Sequence, residues 1–327
     1  EAMTYAFKYS MRYGYPDNNV QQRIADAHGV PRDHVLMGAG SGEILDVVGL
    51  TWLAADKKVV GVEPSYGSVY QHAAGIDADT ILLPLESDYR QNIERMVDVT
   101  NRNARDVGFV YLCNPNNPTG ALLDRAMLEE IAEIARAAGA WILCDEVYRG
   151  LDQHGGGMTA SMADIYEKGI STASTSKAFS LAGLRLGWIA APEEIIEAVS
   201  IHRDYDTIAV ARIDDHFAAL ALENQERILE RSQAITRGNL SVLAEWVDSE
   251  PRISWVKPKS GTTTLLRFDV AMNSRDFCVA LLQETGVMFT PGSAFNMEGY
   301  VRIGFANTPS ILKAGLDRVS AFLAKQP

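Results

Sequence analysis

Short apolar runs alternate with stretches of helical periodicity from about residue 35 to residue 200. Four runs predict buried strands, because each ends in a polar or Gly/Pro loop: KKVVGVEP, GFVYLCNP, AWILCDE and WIAAP. Between two of them, apolar residues at helical spacing in LLDRAMLEEIAEIARAAGA predict a helix that ends at Gly139. Strand, helix and strand in this order form a βαβ unit, so the pattern predicts a mainly parallel sheet with helices on both faces.

The pattern changes after about residue 215. DDHFAALALENQERILERSQAITRGNLSVLAEWV predicts a long helical stretch, TTTLLRFDV and YVRIGFAN predict strands, and a last helix ends near Leu323. We therefore predict an α/β fold with a large domain of residues 30–210 and a smaller α+β domain of residues 1–29 and 211–327. The sequence has no low-complexity linker, which favours close packing of the two parts.

Composition and charge exclude several classes of protein. The 327 residues are 47% hydrophobic and 22% charged, which is ordinary for a globular protein with a sizeable core. The formal net charge of −12 argues against a nucleic acid or an anionic membrane as a partner, because such surfaces attract basic proteins. A sensor that joins a DNA-binding segment to an enzyme-like domain is also disfavoured, since the chain lacks a basic helix-turn-helix segment.

The cysteines and the apolar runs indicate a cytoplasmic protein. Cys113, Cys144 and Cys278 lie in apolar runs and have no metal-like spacing, so we expect buried free thiols in a reducing compartment. We find no apolar run near the roughly 18 residues that a membrane helix needs, and no signal-peptide pattern at the start of the sequence.

In sheets of this type, ligands bind beyond the carboxyl ends of the strands, so the loops there carry the candidate chemistry. The first such loop, MGAGSGEIL, contains Gly38, Gly40, Ser41 and Gly42 ahead of a helix that begins near Glu43. Backbone N–H groups and the positive end of a helix dipole form a phosphate cradle in such a loop. An ordinary glycine-rich turn remains the alternative, and the P-loop pattern is absent.

Three further loops each place a polar or aromatic side chain at a strand end. Tyr66 in EPSYGSVY is a ring that could stack on a ligand or simply pack, and Asn117 in CNPNNPTG could donate to a ligand or stabilise a turn. In CDEVYRG, Asp145 directly follows a buried strand and would need a cation nearby, while Tyr148 could hydrogen-bond to the same ligand. A helix cap or a buried salt bridge is the alternative for Asp145.

The fifth loop, STASTSKAFSLAGLRLGW, places two cations in small and apolar surroundings. A buried lysine requires a partner or a lowered pKa, so Lys177 is either bonded to a ligand or part of a structural ion pair. Arg185 carries a planar guanidinium that suits phosphate, and Ser174 and Ser176 add hydroxyl groups.

One ligand accounts for all five loops: a planar, phosphorylated heteroaromatic aldehyde that forms a Schiff base with Lys177, which is pyridoxal 5′-phosphate. We assign its phosphate to Ser41, Gly42, Ser174 and Arg185, its ring nitrogen to Asp145, its flat face to Tyr66, and its phenolic oxygen to Asn117 and Tyr148.

The motifs NPNNPTG, CDEVYRG, STSKAFSLAGLRLGW, FTPGSAF and YVRIGFAN, in this order, resemble those of class I and II aminotransferases, which are fold-type I pyridoxal-phosphate enzymes. The resemblance runs from about Tyr13 to the C-terminus. RYGYPDNN and GAGSGEIL are more similar to the histidinol-phosphate aminotransferase branch than to the aspartate branch.

The resemblance implies ping-pong transfer of an amino group from an L-amino acid to a 2-oxo acid through a Lys177 aldimine. It gives catalytic roles to Lys177, Asp145 and Tyr148. It gives cofactor contacts to Ser41, Gly42, Tyr66, Asn117, Ser174, Ser176 and Arg185, and substrate contacts to Arg302 and Asn117. Tyr15 would reach the phosphate of a neighbouring subunit, which implies a homodimer.

The substrate and the outcome of the reaction stay open at this point. Residues 202–216, HRDYDTIAVARIDDH, do not match the histidinol-phosphate branch, so its substrate is not assigned. A carbon–sulfur β-lyase or a cyclising enzyme of the same fold would use the same Lys177 and Arg302. A dicarboxylate substrate would need a second arginine, for which the candidates are Arg12, Arg203 and Arg212. A substrate with a basic side chain would need an acid, for which the candidates are Asp204, Asp206 and Asp214. For all six residues, a solvent-exposed charge on a helix is the alternative.

Overall fold

The computed structural model describes residues 1–14, 17–53, 56–155 and 158–327. Its larger sheet contains seven strands in the order β1-β7-β6-β5-β4-β2-β3. These strands are β1 (Val35–Gly38), β2 (Lys58–Glu63), β3 (Asp79–Pro84), β4 (Val107–Cys113), β5 (Ile142–Asp145), β6 (Gly169–Ser174) and β7 (Gly187–Ala190).

All strands of this sheet are parallel except β7, which is antiparallel to both β1 and β6. The four strands predicted from apolar runs are confirmed as β2, β4, β5 and β7. Because β7 runs in the opposite direction, its first residue, Gly187, lies at the edge where β1 and β6 end, opposite Gly38 and Ser174. The mainly parallel sheet is therefore confirmed, with one strand inserted in reverse.

Helices cover both faces of the sheet, as predicted. The helices of the chain are α1 (Ala2–Lys8), α2 (Val20–His28), α3 (Ser41–Trp52), α4 (Ser68–Gly75), α5 (Ile93–Arg102), α6 (Arg125–Ala138), α7 (Met162–Ile165), α8 (Glu193–Asp206), α9 (Arg212–Glu223), α10 (Gln225–Ser249), α11 (Ser274–Thr285) and α12 (Pro309–Leu323). Helices α3, α4 and α8 bury their apolar residues against one face, and α5, α6 and α7 against the other. Helix α6 ends at Gly139 with φ 66°, the left-handed cap that the sequence predicts.

A second, antiparallel sheet in the order β10-β11-β9-β8 forms the core of the C-terminal part. Its strands are β8 (Ile253–Trp255), β9 (Thr263–Phe268), β10 (Thr290–Pro291) and β11 (Tyr300–Gly304). One face packs on α10, α11 and α12 through a separate apolar cluster that includes Phe277 and Phe322. The C-terminal part thus combines helices and strands, as predicted for the smaller α+β unit.

The long helical stretch that the sequence predicts from residue 214 onward consists of two helices. Helix α9 ends at Glu223 and α10 begins at Gln225, with Asn224 between them at φ −112° and ψ 22°. The Asn224 side chain donates to the carbonyl of Leu220 at 2.8 Å, a local bond that competes with continued helix. The start of the cradle helix also differs, since α3 begins at Ser41 and not near Glu43.

The three cysteines are buried and form no disulfide, as expected. No helix in the described ranges is both long enough and apolar enough to cross a bilayer. The same ranges contain no cluster of histidine, cysteine and acidic side chains that could hold a metal ion.

Candidate active site

The carboxyl ends of three neighbouring strands bring the predicted residues together. Asp145 is the last residue of β5, and Ser174 is the last residue of β6. Lys177 follows three residues after Ser174, and β4 leads into the loop that carries Asn117. Strand pairing in register sets Asp145 beside Cys113 of β4, so these loops open from one edge of the sheet.

Asp145 is a buried acid, with only 2% of its surface exposed. Burial raises its pKa from 3.8 to about 7, an effect that the Val147 N–H opposes and the neighbouring Glu146 increases. The Val147 N–H donates to Asp145 Oδ1 at 3.1 Å. Lys177 lowers this pKa, but no ion pair to the carboxylate forms within the described residues. A buried acid without a cation partner is ready to receive a positively charged group.

Lys177 lies above the ring of Tyr148, with its Nζ 5.9 Å from the ring centroid. Partial burial lowers the lysine pKa, and the charges of Arg302 and Arg185 lower it further, while Asp145 raises it. Tyr148 is buried, and this burial raises its pKa to about 12, so its hydroxyl stays protonated and can donate. The amine is therefore easier to deprotonate than an ordinary lysine.

The glycine-rich loop after β1 approaches β7 very closely. Gly40 has φ 92°, a conformation that favours glycine, and a Cβ on Gly187 would lie 2.5 Å from the Ser41 nitrogen. Ser41 and Gly42 then begin α3, which starts three residues after the end of β1. The first N–H groups of a helix have no partner within it and suit an anion. This loop has the shape of the phosphate cradle that the sequence predicts.

Arg185 lies beside this loop and donates only to neutral oxygen atoms. Its Nη2 donates to the Ala39 carbonyl at 3.3 Å, and its Nη1 donates to the Ala182 carbonyl at 2.9 Å and to Ser176 Oγ at 3.4 Å. The backbone N–H of Ser176 donates in turn to Ser174 Oγ at 3.2 Å. Arg185 makes no ion pair in the described part of the chain, so its charge is open to an anion.

Arg302 on β11 reaches across from the smaller sheet to the loop after β4. Its Nη1 donates to Asn117 Oδ1 at 3.0 Å, and its Nη2 donates to Thr290 Oγ1 at 3.2 Å. The guanidinium also lies 5.0 Å from the ring centroid of Phe295. Thr290 and Phe295 are part of the FTPGSAF motif, and no pattern in the sequence indicates a role for either. Their contacts with Arg302 arise from folding.

Tyr66 lies near both the cradle and Asp145. A Cβ on Gly42 would lie 3.9 Å from the Tyr66 hydroxyl, and burial together with the Asp145 charge raises the tyrosine pKa. Tyr15, which was predicted to act in a neighbouring subunit, lies outside the described residues.

Two charged side chains of segment 202–216, Arg203 and Arg212, bind to other groups of the protein. Arg212 forms a buried ion pair with Asp215 at 2.5 Å, and Asn18 donates to the same carboxylate at 2.6 Å. Arg203 contacts Asp204 at 3.5 Å and donates to the Ile208 carbonyl. Asp206 is the last residue of α8, and burial raises the pKa of Asp214 while Arg185 lowers it. Arg12, outside this segment, also interacts with another group of the protein. Arg212 is therefore bound to its own acid.

The donor set fits pyridoxal phosphate. Arg185, the first turn of α3 and two serine hydroxyls suit a phosphate dianion, and the unpaired Asp145 suits a protonated ring nitrogen. Both groups act on Lys177, because the charge of Arg185 lowers the lysine pKa and the charge of Asp145 raises it.

Comparison with known proteins identifies the family. Residues 2–319 match the family described as Aminotransferase class I and II. A pyridoxal-phosphate-dependent aminotransferase structure from Streptococcus suis has a TM-score of 0.90 and 32% sequence identity, with 97% of this chain and 85% of that chain covered.

A synthase and a cyclase are also similar to this chain. Capreomycidine synthase of Streptomyces vinaceus is 28% identical over 291 residues, with 88% of this chain and 74% of that protein covered. The structure of the pyridoxal-phosphate-dependent cyclase OrfR has a TM-score of 0.86 and 27% identity, with 94% and 82% covered. By the family match and the fold together, the chain belongs to the class I and II aminotransferases, enzymes that depend on pyridoxal phosphate.

Proposed function

We propose that the chain transfers an amino group from an L-amino acid to a 2-oxo acid by a ping-pong mechanism. The observation that carries this proposal is the charge arrangement around Lys177. An unpaired buried acid, Asp145, and two arginines without acid partners, Arg185 and Arg302, all act on the titration of this lysine. Such an arrangement suits a zwitterionic cofactor and a carboxylate substrate bound side by side.

When bound, pyridoxal phosphate supplies an electron sink that stabilises negative charge at the substrate Cα. In our proposal, the ionised Asp145 pairs with the ring nitrogen and keeps it protonated. The Tyr148 hydroxyl, whose raised pKa keeps it protonated, and the Asn117 amide contact the phenolic oxygen. Tyr66 stacks on the ring, and Ser41, Gly42, Ser174, Ser176 and Arg185 bind the phosphate.

Lys177 binds the cofactor and then acts as the general base. Its lowered pKa increases the fraction of free amine near neutral pH, which both nucleophilic attack and proton removal require. Arg302 binds the substrate carboxylate through its planar guanidinium, and its contact with Asn117 links this group to the cofactor wall. Orientation of the Cα–H bond toward the lysine amine follows from these two anchors.

A homodimer is part of the proposal, with Tyr15 completing the phosphate site of the neighbouring subunit. Exposed apolar side chains near the N-terminus and at the end of α8 support it, because Met11 and Tyr13 are each more than 75% exposed and Tyr205 is 91% exposed. We also propose a cytoplasmic location, in keeping with three reduced cysteines, and the division into residues 30–210 and residues 1–29 with 211–327.

The test is the Lys177→Ala variant of the reconstituted enzyme. We expect loss of the visible absorbance band that a lysine-bound cofactor gives, and loss of turnover by at least about three orders of magnitude, because binding and proton transfer both use this amine. Retained turnover at the wild-type rate would exclude the proposed role. The matched control is Lys168→Ala, a lysine whose amine donates to the Gly139 carbonyl at 2.9 Å and lies over the Trp141 ring.

A cyclising or β-eliminating activity is the second candidate, and the similarity to the cyclase OrfR favours cyclisation. Incubation of the holoenzyme with an amino acid alone separates the outcomes. One equivalent of pyridoxamine phosphate indicates transamination. Catalytic formation of pyruvate and ammonia indicates elimination, and a cyclic amino acid without loss of nitrogen indicates cyclisation.

A further inference from the structure

We infer that Thr207, in the segment that the sequence left unassigned, is a positioning residue for cofactor phosphate and acts through Glu43. The inference rests on the proposed function, since it concerns the phosphate end of the same site. It assigns a role to part of segment 202–216 that neither the motifs nor the family match provides.

Glu43 ties the cradle loop to this segment. Its Oε2 accepts a hydrogen bond from the Ala39 N–H at 2.8 Å, and its Oε1 accepts one from Thr207 Oγ1 at 2.8 Å. The carboxylate lies against the backbone of the loop, because a Cβ on Gly38 would be 2.1 Å from Oε2. One side chain therefore joins the loop before α3 to a residue 164 positions away.

Thr207 is itself held by a rigid turn. The Ile208 N–H donates to the Arg203 carbonyl at 3.1 Å, and the Ala209 N–H donates to the Thr207 carbonyl at 2.7 Å. Ile208 has φ 63°, a left-handed conformation that is strained for a β-branched residue. Strain of this kind persists where surrounding contacts enforce it, and it is concentrated at functional sites. The turn thus presents the threonine hydroxyl to Glu43 in a fixed position.

These hydrogen bonds affect the conformational freedom of the cradle loop before phosphate binds. A loop that contains Gly40 and is flanked by Gly38 and Gly42 loses much conformational freedom when it closes on a phosphate. The Thr207–Glu43–Ala39 chain of hydrogen bonds fixes the loop before the ligand arrives. It also occupies both oxygens of the Glu43 carboxylate, which would otherwise be free to turn toward a phosphate dianion and repel it.

The test compares pyridoxal phosphate with pyridoxal, which lacks the phosphate. Thr207→Val removes the hydroxyl at nearly constant shape. We expect the dissociation constant of the apoprotein for pyridoxal phosphate to rise about five- to tenfold, which is the net effect of losing one ordinary hydrogen bond. The constant for pyridoxal should change by less than about twofold. Absorbance titration at constant salt gives both constants, without any turnover assay.

Two variants serve as matched controls. Thr207→Ser keeps the hydroxyl and should restore wild-type affinity for pyridoxal phosphate. Thr51→Val removes a hydroxyl from α3, the helix that carries Glu43; Thr51 Oγ1 donates to the Val47 carbonyl at 2.7 Å, and the variant should leave both constants unchanged. If Thr207→Val does not fold, Thr207→Ala carries the same expectation.

Unchanged affinity for pyridoxal phosphate in a folded Thr207→Val or Thr207→Ala protein would overturn the inference. An equal loss of affinity for pyridoxal and pyridoxal phosphate would also overturn it, since this outcome indicates a general structural role. Failure of the wild-type protein to bind pyridoxal phosphate at all would instead count against the proposed function.

Discussion

Two groups of charged residues in this chain contrast sharply: the Arg212–Asp215 pair and the arginines of the candidate site. Arg212 and Asp215 are both buried, lie 2.5 Å apart, and share a further contact with Asn18. Each charge is compensated inside the protein. Such a pair holds segments of chain together, but it has no charge left for a ligand.

Arg185 and Arg302 show the opposite arrangement. Both guanidinium groups donate to uncharged oxygens, those of Ser176 and backbone carbonyls for Arg185, and those of Asn117 and Thr290 for Arg302. Neutral acceptors fix the direction of a guanidinium without cancelling its charge. The same contrast holds for the acids, because Asp215 has a cation partner whereas Asp145 has none in the described ranges.

The contrast teaches that the partners of a charged residue, rather than its type or burial, distinguish a ligand site from a structural one. From the sequence, Arg212 is a candidate for substrate binding, as Arg203 is. In the structure, Arg212 is already paired with Asp215. The arginines that remain available are those surrounded by amides, hydroxyls and carbonyls.

The largest expected effect comes from Arg302. Arg302→Met should lower kcat/KM for amino donors about a thousandfold, or ~4 kcal/mol, because the substrate carboxylate loses a bidentate charged partner. The free energy of unfolding of the apoprotein should change by less than about 2 kcal/mol, since two hydrogen bonds to neutral groups and the contact with the Phe295 ring are lost. Steady-state kinetics and urea denaturation provide the two measurements; a large loss of stability with little loss of activity would contradict the comparison.

Arg212 should behave in the reverse way. Arg212→Met leaves the buried Asp215 without its cation, so we expect the free energy of unfolding to fall by about 3 kcal/mol. Activity measured well below the melting temperature should fall less than about tenfold. The double variant Arg212→Met/Asp215→Leu removes both charges and should recover most of the lost stability, and a double variant no more stable than the single one would argue against a structural ion pair.

Much of the fold could be predicted because local sequence encodes it. The runs VVGV, FVYLC and ILC are apolar and end in polar loops, which is sufficient to identify β2, β4 and β5. The interruption at Asn224 could not be predicted in this way. It depends on one side-chain bond to the Leu220 carbonyl, within a stretch whose periodicity otherwise continues.

The candidate site also contains residues that local sequence identifies and contacts that it does not. Lys177, Asp145 and Arg185 stand out in sequence, because charged residues in apolar runs need an explanation. The partners of Arg302 and the bond between Glu43 and Thr207 join residues far apart in the chain, and periodicity contains no information about such contacts. Arg302 itself was found through the resemblance of YVRIGF to a family motif, not through its spacing.

The smallest effect concerns Asp145 and its pKa of about 7 in the cofactor-free protein, against an ordinary value of 3.8. A raised pKa in the folded state means that the acid contributes most to stability below pH 4. This contribution is lost as the pH rises through about 7. Asp145→Asn removes the titration, so the variant should gain about 2 kcal/mol of unfolding free energy relative to wild type between pH 5 and pH 8.

Bound cofactor should reverse the stability difference between wild type and Asp145→Asn. The experiment therefore tests directly whether Asp145 lacks a cation partner in the cofactor-free protein. With pyridoxal phosphate bound, the protonated ring nitrogen gives Asp145 the cation that the protein alone does not supply, so wild type should gain stability at pH 8. Asp145→Asn should gain less from the same cofactor concentration. Urea denaturation of both proteins at pH 5 and pH 8, with and without cofactor, measures the four differences. A gap between the apoproteins that does not change with pH would mean that Asp145 already has a partner, as Asp215 does.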